Sequence, residues 1–130
     1  MDTEGAKSGC LPSYIQAFLD AFDGGDACRL ADLFAEDGII DCGGGQLVVG
    51  RKAIRNALIS FLVHGLKLQL DVLSMVETGD VALVRSDWSM KGANRENHAI
   101  NLAGQALHIF LRAPGGRWEI KIYNPFSQAY

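Results

Sequence analysis

The chain has 130 residues, 48% of them hydrophobic and 21% charged, with a formal net charge of -3. That length fits one domain able to bury roughly two-thirds of its unfolded surface. No Lys/Arg block is present to meet a phosphate backbone, which excludes a nucleic-acid module, and no apolar run approaches the roughly 20 residues of a membrane span. Residues 1–10 are small and polar and are expected to form a flexible tail ahead of a domain over 11–130. Met1 to Gly5 is acidic and lacks an apolar stretch, so no secretory signal is expected there.

Pro12 followed by Ser13 predicts a helix start with Ser13 as N-cap. Ile15, Phe18, Leu19 and Phe22 then recur at i, i+3, i+4 and i+7, one face of a helix that Gly24-Gly25 ends. Asp26 can cap a short second helix carrying Leu30, Leu33 and Phe34. Asp37-Gly38 turns the chain into a short strand, Ile39 to Cys42. Gly43-Gly44-Gly45 lets Gln46 to Val49 pair back as a hairpin. From Arg51, the positions Ile54, Leu58, Phe61 and Leu62 make a third amphipathic helix that stops near Gly65.

The second half changes period. Leu66, Leu68 and Leu70 alternate with Lys67, Gln69 and Asp71, as in a strand. Glu77 to Asp80 reads as a hairpin turn into Val81–Met90, and a polar connection over 91–97 leads to a long strand ending Leu107 to Arg112. Ala113-Pro114-Gly115-Gly116 turns that strand into Arg117–Asn124. Helices first and a meander last is an α+β pattern.

Several short stretches, taken in order, resemble one family. Phe18 to Asp26 followed by Leu33 to Asp37 is similar to the opening of SnoaL-like and ketosteroid-isomerase-like proteins of the nuclear-transport-factor-2-like superfamily. Gly50 to Arg55 is similar to their third-helix start. Gly79 to Val84 with Trp88, and Arg112, Gly116, Arg117-Trp118 and Asn124-Pro125, resemble an uncharacterised SnoaL-like branch. The resemblance covers about residues 11–126. It implies a cone-like (cystatin-like) curved antiparallel sheet wrapped around three N-terminal helices, enclosing an apolar pocket, and a homodimer. By approximate alignment it turns Phe18, Ile40, Cys42, Val84, Ser86, Trp88, His108, Phe110, Lys121 and Tyr123 inward. Strand alternation groups the strand members of this set in the same way, since they sit two apart. The opposite face, with Leu107, Ile109, Leu111, Ile120 and Ile122, is the expected subunit contact.

The carboxylate, tyrosine and protonated acid of the ketosteroid isomerases are replaced here by Cys42, Phe18 and His108. His108 interrupts an apolar strand, so it is either a proton-transferring group or a histidine bonded within the core. Lys121 is a lowered-pKa base or anion hook, or a lysine snorkelling to the rim. Tyr123 offers a phenol to a ligand oxygen, or is core. Of Asp41 and Cys42 only one faces in: Asp41 would restore a carboxylate base, Cys42 would be a small apolar filler. Ser86 is a polar anchor and Trp88 a wall.

Cys10, Cys28 and Cys42 lack C-x-x-C spacing, which argues against a disulfide framework or zinc site and fits a cytoplasmic setting. His64, His98 and His108 are scattered, and neither metal nor cofactor is expected. Two functions stay open. One is a cofactor-free isomerase, cyclase or lyase acting by acid–base chemistry on an apolar, oxygen-bearing ligand, with His108 assisted by Asp41, Lys121 or Tyr123. The other is a non-catalytic ligand-binding or dimeric assembly domain. A roomy cavity on which His108 and Lys121 converge would favour the first; a cavity of only a few tens of Å3 would favour the second.

Overall fold

A computed structural model describes residues 10–94 and 96–127. Of the expected tail over 1–10, residues 1–9 lie outside the described residues, and Cys10 caps the first helix. Helix α1, Leu11–Asp23, buries Leu11, Ile15, Phe18, Ala21 and Phe22, the face set by the i, i+3, i+4, i+7 pattern. It starts earlier than Ser13: Cys10 is the N-cap and Pro12 lies in the first turn. Proline suits that turn, because its missing N–H has no intrahelical partner to lose. Ser13 instead donates its hydroxyl to the Cys10 carbonyl at 2.7 Å. Helix α2, Ala27–Asp32, is capped as expected, Asp26 accepting from the Arg29 N–H at 3.0 Å. Phe34, read from sequence as part of this helix, opens strand β1, Phe34–Gly43.

Strand β2 is Gln46–Val49 and helix α3 is Arg51–Leu62. Four long strands follow: β3 Lys67–Thr78, β4 Val81–Ala93, β5 Ala99–Arg112 and β6 Trp118–Asn124. The sheet order is β2-β1-β6-β5-β4-β3. The chain thus starts the sheet at one edge, carries α3 across to the other, and meanders back until β6 lies beside β1. The β1–β6 pair is parallel, with Ile39 opposite Ile122 and Ile40 opposite Tyr123; the other pairs are antiparallel. A long crossover permits this parallel pair, which a tight hairpin cannot make. Gly38 sits where β1 breaks register against β6. A Cβ there would lie 3.0 Å from the carbonyl oxygens of both Ala35 and Ile120, so only glycine fits the approach.

The helices cover one face of the sheet. Trp118, Phe34, Phe110, Leu30 and Ile54 are fully buried between the layers, with the Arg112 guanidinium 4.1 Å from the Trp118 ring. Strands β4 and β5 pair without a break from Val81–Leu111 to Ala93–Ala99, so Val84, Ser86 and Trp88 share the inner face with His108 and Phe110. Strand β6 does not keep this alternation. Ile109 faces Ile122 but Phe110 faces Ile120, which leaves Lys121 as the extra residue of a β-bulge. Ile120 therefore joins the core at 1% exposure instead of the outer face, and Lys121 is turned away from it.

On the opposite face an apolar row crosses the whole sheet: Val49, Ile39, Ile122, Ile109, Leu83 and Val76, each opposite the next. Leu107 and Leu111 flank it on β5. Among the described residues no helix is long and apolar enough to cross a membrane.

Candidate functional site

Between the inner sheet face and the helices lies a cavity of about 400 Å3. Phe18, Phe22 and Leu30 line it from α1 and α2, and Ala57, Leu58 and Phe61 from α3. Ile40, Cys42 and Val48 close the hairpin side. Trp88, Met90, Leu68 and Leu102 come from the meander, and Tyr123, Pro125 and Phe126 from the end of β6 and the turn beyond it. Among the described residues no charged side chain lines this space. The volume falls within the range of small-molecule sites, roughly 300–1,000 Å3.

The residues expected at the site divide into three groups. Phe18, Ile40, Cys42, Trp88 and Tyr123 line the cavity. Val84, Ser86, His108 and Phe110 share the inner face but are buried deeper and do not line it. Asp41 and Lys121 are outside it. Alternation turns Cys42 to the cavity side with Ile40, so Asp41 faces away, and its carboxylate accepts from the Gly43 N–H at 3.0 Å. The bulge turns Lys121 outward to Asp37, whose carboxylate receives its ammonium at 2.5 Å and is held below the usual carboxylate range by that bond and charge. A carboxylate base from Asp41 and a lysine hook are therefore both absent from the cavity wall.

His108 is fully buried in an aromatic setting. The Tyr123 ring stacks on it at 4.5 Å between centroids, Phe18 meets it edge-on at 4.9 Å, and Phe110 lies on the same strand face at 6.0 Å. Among the described residues neither ring nitrogen has a hydrogen-bond partner, and the buried Ser86 hydroxyl has none. Burial disfavours the imidazolium and lowers the His108 pKa to about 3, so the ring is neutral near pH 7. Burial likewise pushes the Tyr123 phenol well above its ordinary value. Buried polar groups are ordinarily hydrogen-bonded, which makes the Ser86–His108 pair the unusual feature of this core.

Trp88 fixes one end of the cavity. Its indole N–H donates to the Pro125 carbonyl at 2.5 Å, and Phe126 meets its ring edge-on at 6.0 Å. Gly104 makes this possible: a Cβ there would lie 3.0–3.1 Å from the indole. Sequence reasoning did not anticipate the lining from Leu58 and Phe61, whose helical spacing marks an apolar face without showing that a gap remains beneath it. Leu68, Met90, Leu102 and Phe126 were missed too. Alternation did mark Leu68, while nothing local marks Phe126.

A second, more open groove of about 870 Å3 lies at the start of α3, lined by residues of both charges including Asp32, Glu36, Arg51, Lys52 and Arg55. Arg51 there is already engaged, its guanidinium donating to the Phe34 carbonyl at 2.7 and 3.1 Å. Among the described residues no cluster of three or more His, Cys, Asp or Glu is placed to hold a metal.

A meandering sheet backed by helices, with a cavity between the two layers, defines an α+β protein of the nuclear-transport-factor-2-like kind. The SnoaL-like domain matches residues 15–120, and the chain belongs to that family. Solved structures share the fold at low identity. A ketosteroid isomerase-like protein from Erwinia carotovora atroseptica is 21% identical with a TM-score of 0.80, covering 91% of this chain and 93% of its own. A conserved protein from Planctomyces limnophilus is 19% identical with a TM-score of 0.81, over 89% and 91%. An NTF2-like protein with a cystatin-like fold from Novosphingobium aromaticivorans is 21% identical with a TM-score of 0.75, over 94% and 80%. No curated protein matches the sequence significantly.

Proposed function

We propose that the chain is a small-molecule pocket protein whose cavity holds one uncharged, predominantly apolar ligand. The observation that carries this reading is a space of about 400 Å3 lined by aromatic and aliphatic side chains with no charge among them. Such a wall would strand an ionised ligand without a counter-charge, at a cost of several kcal/mol. Tyr123 supplies a hydroxyl at the wall, and Cys42 sits at the exposed hairpin side.

Binding is favoured over acid–base turnover. The fold is that of an isomerase-like protein, but His108 is sealed behind the wall while Asp41 and Lys121 face away. An isomerase, cyclase or lyase in this cavity would have as titratable wall groups the Tyr123 phenol, which burial holds protonated, and the Cys42 thiol. The apolar row on the outer sheet face supports a homodimer as the second part of the reading, with Leu107, Ile109, Leu111 and Ile122 at its centre and Ile120 withdrawn to the core.

The ligand reading is tested by thermal unfolding against a panel of neutral aromatic alcohols and ketones. A ligand at a hundred times its Kd stabilises the folded state by about 2.7 kcal/mol, which raises Tm by on the order of 10 °C for a domain of this size. Leu58→Trp, which fills the cavity from α3, should abolish that rise. A rise of equal size in this variant would place binding elsewhere.

A further inference from the structure

The outer sheet face carries charge beside its apolar row. One step along the strands lies a second row: Ser74, Arg85, Leu107, Asn124, Asp41 and Leu47, running from β3 across to β2. Asp41 shares it with Asn124 because each lies two residues beyond the parallel Ile39–Ile122 pair. Arg85 is exposed, and among the described residues it is in no ion pair. Asp87, two residues on, accepts instead from the Gln105 amide at 3.1 Å. The strand order has its middle between β6 and β5, so β4 and β1 stand equally far from it. Arg85 and Asp41 are therefore placed symmetrically about that middle, roughly 14 Å apart across three strand spacings.

We infer that Arg85 and Asp41 are the orienting pair of the homodimer, each guanidinium meeting the Asp41 carboxylate of a second copy. The inference rests on the homodimer reading above and adds the one orientation in which two copies dock. A two-fold axis running along the strands between β5 and β6 exchanges β4 with β1 and β3 with β2. It lays the apolar row on its own equivalent and sets Arg85 opposite Asp41 twice, once on each side of the axis. Facing sheets stand about 10 Å apart, a gap that an extended arginine and an aspartate close from opposite sides. The Gly43 N–H holds Asp41 at 3.0 Å, so the acid does not have to be ordered anew. An axis across the strands, along the row, gives a different match. Val81 and Asp37 lie two residues before Leu83 and Ile39, as Arg85 and Asp41 lie two after. That docking would set Arg85 on Val81 and Asp41 toward Asp37, a charge on an apolar side chain and two acids together. The apolar row supplies the attraction, and the charges admit the first orientation and oppose the second.

The test is sedimentation equilibrium of charge variants of the full chain, with the dimer Kd as the readout. Arg85→Asp sets a carboxylate against Asp41 at both places and is expected to raise Kd about a hundredfold. Adding Asp41→Arg restores opposite charges and should return Kd to within about tenfold of the wild type. Asp41→Arg gives up the bond to Gly43, so Arg85→Asp is also combined with Asp41→Asn, which keeps an oxygen for that N–H. Removing the like charge in this way should recover about tenfold of the loss. Lys52→Asp, on α3, changes the net charge as much as Arg85→Asp does and should move Kd by about threefold or less. A wild-type Kd in Arg85→Asp, a loss that Asp41→Asn does not relieve, or an equal loss in Lys52→Asp would overturn the pairing and leave the homodimer standing. A monomeric wild type would overturn both.

Discussion

His108 shows how burial rewrites a residue's chemistry. In water the imidazole takes a proton near pH 6.5; inside this core it does so only near pH 3, and the cause is loss of solvent alone. The unfolded chain therefore gains a proton as pH falls through 6.5 while the folded chain does not. Stability from the neutral ring is fully present above pH 6.5 and drains between pH 6.5 and 3, by up to about 1.4 kcal/mol for each pH unit. Urea midpoints at pH 7, 5.5 and 4.5 should fall steeply in the wild type and less steeply in His108→Phe. Parallel slopes would show that the ring is solvated. The same burial withdraws His108 from proton traffic with a bound ligand near neutral pH, and this is what moves the functional reading from acid–base catalysis toward recognition.

At the scale of elements, strand register decided what the sequence could reveal. Alternation assigned Val84, Ser86, Trp88, His108 and Phe110 to the inner face, because β4 and β5 pair without interruption. The same rule misplaced Lys121 and Ile120, because a bulge adds one residue to β6 and reverses the facing beyond it. No residue type in Glu119 to Tyr123 announces that bulge; it is set by how β6 fits between two neighbours. The cavity itself was legible only as an expectation of the family. Its far wall comes from α3 and from Pro125-Phe126, and whether a helix seals a sheet or stands off it depends on packing that a single chain's periodicity does not encode. Gly104 is a comparable contact between elements. Gly104→Val would push the indole of Trp88 off its seat and break its bond to the Pro125 carbonyl. The expected cost is about 1–3 kcal/mol, with Trp88 emission shifted to the red. Unchanged emission would mean that the strand has room to yield.

For the whole molecule, the sheet offers two faces with different tasks. The inner face holds the cavity, and the outer face carries the Val49-to-Val76 row across all six strands. A row of this kind on a charged chain marks a surface made to be covered. The proposed homodimer predicts that Ile109→Lys, at the middle of the row, sediments as a monomer at micromolar concentration while the wild type sediments as a dimer. A monomeric wild type would remove this half of the reading. The placement of β6 has another consequence, for biosynthesis. This strand joins the N-terminal hairpin to the meander, yet among the described residues it follows every other strand. As the polypeptide leaves the ribosome, β1 and β5 must wait with open edges for the segment that will lie between them. Unpaired edges of that sort invite association with other chains. Pairing of Trp118 to Asn124 between β1 and β5 is what removes both edges at once.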